Sequence, residues 1–183
     1  MALLPSIASS AMHGAMVPIA NSTNMSSGLT FSNIPQGYQD LMLVTFARTD
    51  YATTTQEIAF TFNSDASAKY SMTWLYGDGS SALSSRVTAL TYAYARYACA
   101  GSSATAGVYA SSVFHILNYK NSSTNKTVLQ RSAVDLNGSG ATNLSAWMYA
   151  STSPITSIVI SPNGGTFVAG STATLYGIRT VGQ

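Results

Sequence analysis

The sequence predicts an all-β protein, an antiparallel β-sandwich of jelly-roll type with an extended N-terminal arm. Large apolar residues alternate with small or polar ones over short segments, which is the period of a half-buried strand. Clusters of Gly, Pro, Asn and Ser separate these segments at intervals of about 10–18 residues, as in sandwiches and barrels. No segment carries a helical stripe of apolar residues with charged partners. The pattern therefore argues against alternating βα units.

Residues 1–28 are predicted to form the arm, and residues 29–183 the β-sandwich domain. The first 28 residues contain no Asp, Glu, Lys or Arg and show no clean period. An irregular terminus is ordered only where something holds it, so we expect a neighbouring subunit or a partner protein to bind the arm. The apolar side chains expected to make that contact are Leu3, Leu4, Ile7, Met12, Met16, Val17 and Ile19.

The first strands follow the arm in order. A short strand is predicted at residues 29–31, and a second at residues 40–47, an apolar run that begins after a Pro-Gln-Gly turn. Ile58, Phe60 and Phe62 recur at every second position, which places these large side chains on one face of a third strand. An Asn-Ser-Asp turn ends that strand.

The alternation continues through the second half of the chain. Met72, Trp74 and Tyr76 repeat the same period and are stopped by a Gly-Asp-Gly turn. Residues 87–97 are rich in Ala, but their Thr and Tyr residues favour a strand over a helix. The remaining strands are predicted at residues 108–119, 127–134, 146–150, 155–161 and 172–179.

Charge and cysteine usage exclude several classes of protein. Charged residues are 8% of the chain, and 28 Ser and 21 Thr supply most of its polarity. A net charge of +2 without clusters of Lys and Arg excludes an electrostatic nucleic-acid interface. The charge-free run over residues 1–39 is interrupted by Pro5, His13 and Pro18, so no membrane-spanning segment is expected. The single cysteine, Cys99, is expected to be a small buried apolar residue.

No catalytic constellation is recognisable, so the sequence predicts a protein that is not an enzyme and needs no cofactor. His13 and His115 are far apart, and nothing selects a catalytic pair among the six acids. The Gly-Ser-Gly at residues 138–140 lacks the strand-to-helix context of a hydrolase nucleophile. Asp65 and Asp78 lie in polar turns that could bind Ca²⁺, although turn chemistry alone accounts for both.

The aromatic residues are the strongest sign of a contact surface. Tyr92, Tyr94 and Arg96 are expected on one face of their strand, with Ala93, Ala95 and Tyr97 on the other. Together with Trp74, the first three have the composition of interface hot spots. Two interpretations remain open, a core or subunit interface and a platform that stacks on a host sugar.

Four pieces of sequence, in order, resemble a pattern of structural proteins from tailed bacteriophages. Residues 29–41 read LTFSNIPQGYQDL, in which the family has a strand, an IPQ-x-Y turn and a second strand. The segment FNSD at residues 62–65, with YS at 70–71, is similar to FNGD…NYS, Ser64 replacing the usual glycine. The other two pieces are LYGDGS at residues 75–80, similar to LYGNGS, and AGSTATLYGI at residues 169–178, similar to AGSTFTLYGI.

The resemblance implies a virion structural protein without catalytic residues. Within it we expect a capsid decoration protein on the capsid surface, which forms a homotrimer and binds the major capsid protein through the arm. Low charge and abundant hydroxyl groups suit subunits that join by hydrogen bonds and shape, with apolar strand faces partly buried between them. The alternative is a receptor-binding or tail-fibre tip module, with tail proteins and a host glycan as its partners.

Overall fold

The computed structural model describes residues 16–179, and every helix or strand element among them is a β-strand. No helix within this range is long and apolar enough to cross a membrane. The strands are β1 (Met16–Ser22), β2 (Leu29–Phe31), β3 (Asp40–Ala47), β4 (Thr55–Phe62), β5 (Tyr70–Gly77), β6 (Ala82–Leu90), β7 (Ala93–Ala100), β8 (Ala110–Leu117), β9 (Lys126–Asp135), β10 (Gly140–Tyr149), β11 (Ile158–Pro162) and β12 (Thr172–Ile178).

The strands form two antiparallel sheets of unequal size. The larger sheet has eight strands in the order β1-β12-β3-β8-β9-β10-β5-β6, and the smaller has four in the order β2-β11-β4-β7. The smaller sheet packs against one side of the larger, which we call the inner face. The opposite side of the eight-stranded sheet is called the outer face. The predicted antiparallel β-sandwich is confirmed, whereas its jelly-roll connectivity stays a prediction.

The core lies between the sheets and is built by the alternation that the sequence shows. Ile58, Phe60 and Phe62 of β4 are at most 1% exposed, as their period of two predicts. The ring of Phe60 lies 4.4 Å from that of Phe114 on β8 and 5.3 Å from that of Trp147 on β10, between centroids. Phe60 thus joins the smaller sheet to the middle of the larger one. Cys99 is fully buried, as expected.

The prediction of one strand over residues 87–97 is wrong, because this segment belongs to two strands. The chain leaves β6 after Leu90, turns at Thr91 and Tyr92, and continues as β7 in the other sheet. Ala89, near the end of β6, has a positive φ of 56°, and the pairing of β5 with β6 shifts register at this end. The change of sheet is therefore made without a glycine or proline to mark it.

The sandwich also begins earlier than the sequence predicts. Residues 16–22, placed above in the arm, form the edge strand β1 and pair with β12. Ile19 packs against the core, and Met16 is 42% exposed. The arm positions Leu3, Leu4, Ile7 and Met12 lie outside the described residues. An N-terminal arm therefore stays a prediction, and only residues 1–15 can belong wholly to it.

Replacing Phe60 tests the packing at the centre of the core. We expect Phe60→Ala to lower the free energy of unfolding by about 3–5 kcal/mol, because it removes a buried ring and leaves a cavity between Phe114 and Trp147. Urea unfolding followed by tryptophan fluorescence measures the loss. A decrease below about 1 kcal/mol, the size typical of surface changes, would contradict this position for Phe60.

Candidate functional site

The four residues predicted to form a contact face lie together at one edge of the sandwich. Tyr92 precedes β7 and Tyr94 lies on it, at the edge of the smaller sheet, while Trp74 lies on the inner face of β5. The ring centroid of Tyr94 is 6.1 Å from that of Trp74 and 6.4 Å from that of Tyr92. Cζ of Arg96 is 5.4 Å from the Trp74 ring centroid. The structure therefore joins the four side chains in one group, called here the Arg96 cluster.

Two further tyrosines, which the sequence pattern does not place in this group, also belong to the Arg96 cluster. The rings of Tyr76 and Tyr97 are 5.1 Å apart, and Cζ of Arg96 lies 5.5 Å and 5.7 Å from their centroids. Strand alternation placed Tyr97 on the face of Ala93 and Ala95, away from Arg96. The φ of Tyr97 is +53°, and the pairing of β4 with β7 shifts register beside it, so the alternation breaks there.

The Arg96 cluster is packed against itself and is only partly open to solvent. Trp74 is 9% exposed, and the guanidinium of Arg96 lies over three aromatic rings while its Nη1 is 3.5 Å from Oε1 of Glu57. Burial raises the pKa of the Tyr94 and Tyr97 hydroxyls. A sugar platform needs open ring faces. The geometry therefore favours the packing role, in which the cluster fastens β7 to β5.

The outer face of the eight-stranded sheet carries most of the large apolar side chains that are exposed within residues 16–179. Leu75 on β5 lies opposite Leu144 on β10, and these side chains are 55% and 51% exposed. Leu129 on the next strand is 46% exposed, and Phe46 stacks on Tyr109 at 4.8 Å between centroids. The other apolar side chains at outward positions of the central strands are Met42, Val44, Val113, Leu117, Ala133, Ala146 and Met148.

The inner face of the same central strands carries polar side chains. Gln130 and Asn143 are at most 2% exposed, and Nδ2 of Asn143 donates hydrogen bonds to Oε1 of Gln130 and to Oγ of Ser145, both at 2.8 Å. Lys126 is fully buried, and its Nζ donates to the carbonyl oxygens of Thr124 and Thr152 at 2.8 and 3.0 Å. On β9 and β10 the usual order, apolar inside and polar outside, is therefore partly reversed.

Asp65 fixes the loop between β4 and β5. Its Oδ2 accepts hydrogen bonds from Nζ of Lys69 and from Oη of Tyr149, each at 2.8 Å. Its Oδ1 accepts from the backbone N–H and the hydroxyl of Ser67. The Lys69 ammonium contributes most to holding the pKa of Asp65 well below its usual range, and the Ser67 and Tyr149 bonds add to it. This carboxylate therefore connects the loop to β10.

Each of the other acids also accepts a hydrogen bond, either from within its own turn or from a residue distant in sequence. The backbone N–H of Thr166 lowers the pKa of Asp50, and that of Ser80 lowers the pKa of Asp78. No group of three or more His, Cys, Asp and Glu within residues 16–179 is placed to hold a metal ion. The acids and their donors are Asp40 with Asn118 N, Asp50 with Thr166 N, Glu57 with Asn163 Nδ2, Asp78 with Ser81 N and Asp135 with Asn137 N.

The Asp65 network predicts a dependence of stability on pH. Because the pKa is lower in the folded than in the unfolded chain, the stabilisation is present above the usual value of about 3.9 and is lost as the pH falls below it. We expect Asp65→Asn to be less stable at neutral pH and to lose less stability on acidification. Urea unfolding between about pH 6 and pH 3 measures the slope of the free energy of unfolding against pH.

A matched control variant separates the effect of Asp65 from that of removing any carboxylate. The matched control is Asp135→Asn, whose carboxylate accepts a hydrogen bond from Asn137 N in an exposed turn, and we expect it to keep the wild-type slope more closely. Asp50 and Asp78 leave a residual slope in the Asp65→Asn variant, because their pKa values are also lowered. An Asp65→Asn slope equal to that of the wild type would contradict the role of this carboxylate.

Comparison with known proteins adds no relative to these observations. No family model, no curated protein and no solved structure matches the chain. The function is therefore inferred from the sequence motifs, the outer face and the Arg96 cluster.

Proposed function

We propose that the protein is a non-catalytic structural protein of a bacteriophage virion, a capsid decoration protein that forms a homotrimer and binds the major capsid protein through its N-terminal arm. The apolar outer face carries this proposal. Leu75, Leu129 and Leu144 are each between 46% and 55% exposed on neighbouring strands. A contiguous apolar patch on a protein with so few charges is typical of a subunit that works within an assembly.

The use of the acidic residues supports a structural role. Asp65 binds Lys69 and Tyr149, and Asp50 accepts two hydrogen bonds from Thr166. These carboxylates hold loops and strand ends together. General acid–base catalysis needs a carboxyl group within reach of a substrate, and groups committed to loop contacts suit it poorly.

The position of β1 supports the arm as the attachment element. The chain enters the sandwich at Met16, on an edge strand of the larger sheet. Residues 1–15 are uncharged and contain Leu3, Leu4 and Ile7. At roughly 25 cal/mol per Å² of buried apolar area, several such side chains could offset the cost of ordering an extended segment on another protein.

A receptor-binding tip module is the second candidate, and one observation favours it. Tyr92 lines a shallow cavity of 360 Å³ on the smaller sheet, together with Thr61 and Asn163. This volume is within the range of small-ligand sites, and a ring beside an amide suits a sugar. Binding of host glycans by the purified protein, lost in Tyr92→Ala, would establish this function in place of capsid decoration.

Deleting residues 2–15 tests the proposed function. The deletion stops before β1, so we expect the variant to fold with the circular dichroism spectrum of the full chain. We also expect it to form trimers and to lose binding to capsids that lack this protein, because the attachment element is gone. Co-sedimentation with such capsids measures binding, and analytical ultracentrifugation measures the mass.

The control is replacement of residues 2–15 by a Gly/Ser segment of equal length, which separates the effect of sequence from that of length. Full occupancy of capsids by the deleted variant would exclude the arm as the attachment element. Failure of the full-length protein to bind capsids would contradict the decoration role altogether.

A further inference from the structure

The arrangement of side chains on β9 and β10 departs in part from that of a sheet with one solvated face. Such sheets normally place apolar residues inside and polar ones outside. Here Gln130 and Asn143 point inwards and are buried, while Leu129 and Leu144, their neighbours in sequence, point outwards and are about half exposed. The outward positions of the two strands carry five apolar side chains among two threonines, an arginine and an aspartate, and nothing from residues 16–179 covers the apolar ones. These apolar residues are Leu129, Ala133, Leu144, Ala146 and Met148.

The outer face is continuous across the middle of the sheet. Leu75 pairs with Leu144, Leu144 pairs with Arg131, and Arg131 pairs with Val113 on β8. Val113 in turn pairs with Val44 on β3. One row thus crosses five adjacent strands and contains four apolar side chains and one arginine. This row forms a continuous strip across five strands rather than a set of isolated exposed residues.

The size of the outer face is that of a stable subunit interface. Eight strands lie side by side in this sheet. With a spacing of about 4.8 Å between strands and roughly seven residues of about 3.3 Å rise in each, the face covers roughly 900 Å². Standard interfaces bury about 800 Å² on each partner, so the face is large enough to hold two copies together.

The charges of the outer face are compatible with a second copy of the same surface. The outward positions of the eight-stranded sheet carry two arginines, Arg86 and Arg131, two aspartates, Asp40 and Asp135, and a formally neutral histidine, His115, whose Nε2 lies 3.2 Å from Oδ2 of Asp40. Their sum is zero, so two copies of the face do not repel each other. A strongly charged partner, by contrast, would meet no net charge of opposite sign on the outer face.

We propose that the outer face of the eight-stranded sheet is the surface through which copies of this chain bind one another. The inference rests on the proposed structural role and identifies the contact that the assembly uses. Leu75, Leu129 and Leu144 form its centre, where the exposed apolar side chains are adjacent. Val128 and Trp147, on the opposite side of these strands, are buried in the core against the smaller sheet, which leaves the outward side free for the partner.

The test is a lysine placed at the centre of the face in the full-length protein. We expect Leu144→Lys and Leu129→Lys each to weaken self-association by about a hundredfold, because an unpaired charge would be buried between the copies. Sedimentation equilibrium over a range of concentrations measures the association constant. Circular dichroism and cooperative thermal unfolding show that each variant still folds, as expected for positions that are half exposed in one copy.

Leu83→Lys is the matched control. Leu83 is 52% exposed, against 51% for Leu144, and lies in the same sheet. It pairs with Tyr76, whose ring lies in the Arg96 cluster, so it belongs to the other side of the sheet. We expect Leu83→Lys to associate as the wild type does. Equal weakening by all three variants would mean that added charge, rather than the outer face, is responsible, and would overturn the proposal.

The outcomes separate this inference from the proposed function. A wild-type protein that is monomeric at micromolar concentration overturns the self-association, even if it binds capsids through the outer face. Wild-type association that is lost in Leu144→Lys supports the inference, even if capsids are never bound. Contact between the outer faces of two copies is two-fold and closes a dimer, whereas a trimer requires the outer face to contact a different surface of its neighbour. A dimer that is lost in Leu144→Lys therefore supports the outer face as the contact and contradicts the predicted homotrimer.

Discussion

The structure depends on a mismatch between two sheets, since eight strands are packed against four. The smaller sheet covers part of the inner face, where Phe60 contacts Phe114 and Trp147, and it cannot reach the outer face. The central strands of the larger sheet therefore have one covered and one uncovered side, whereas β6 is exposed along most of its length. On β9 and β10 the apolar residues Leu129 and Leu144 lie on the uncovered side. The proposed association of copies through the outer face would bury this apolar surface.

The edge of the smaller sheet needs separate closure, because β7 is its last strand and, among the described residues, only an isolated bridge between Arg48 and Ala100 pairs with its outer side. The Arg96 cluster closes it with aromatic contacts and not with a ladder of hydrogen bonds. The guanidinium lies over Trp74, Tyr76 and Tyr97, and Glu57 balances its charge. Cation–π contacts of this kind contribute more where water is excluded. The exposed rim that remains, around Tyr92, is the part of this edge that a ligand could reach.

The sequence predicts the fold class well, but it predicts less well which side of each strand is buried. The period of Ile58, Phe60 and Phe62 identifies a core strand because all three side chains enter one apolar layer. The same reasoning cannot orient β9, because buried Gln130 stands beside Leu129, which is 46% exposed and is not covered by residues 16–179. The sequence pattern does not reveal that residues 87–97 are divided between β6 and β7, because no Gly or Pro marks the turn between these strands. The four predicted residues of the Arg96 cluster do meet, but long-range packing added Tyr76 and a local break in alternation added Tyr97.

The most direct measurement of the central claim is the oxidation of methionine by dilute peroxide at low and high protein concentration. Met148 is 40% exposed on the outer face, and Met72 is buried in the core at 2%, which makes it an internal reference. Oxidation requires access to the sulfur. If copies bind through the outer face, Met148 becomes protected as the concentration rises through the association range, while the slow oxidation of Met72 stays the same. Oxidation of Met148 at one rate in both the dissociated and the associated protein would contradict the account.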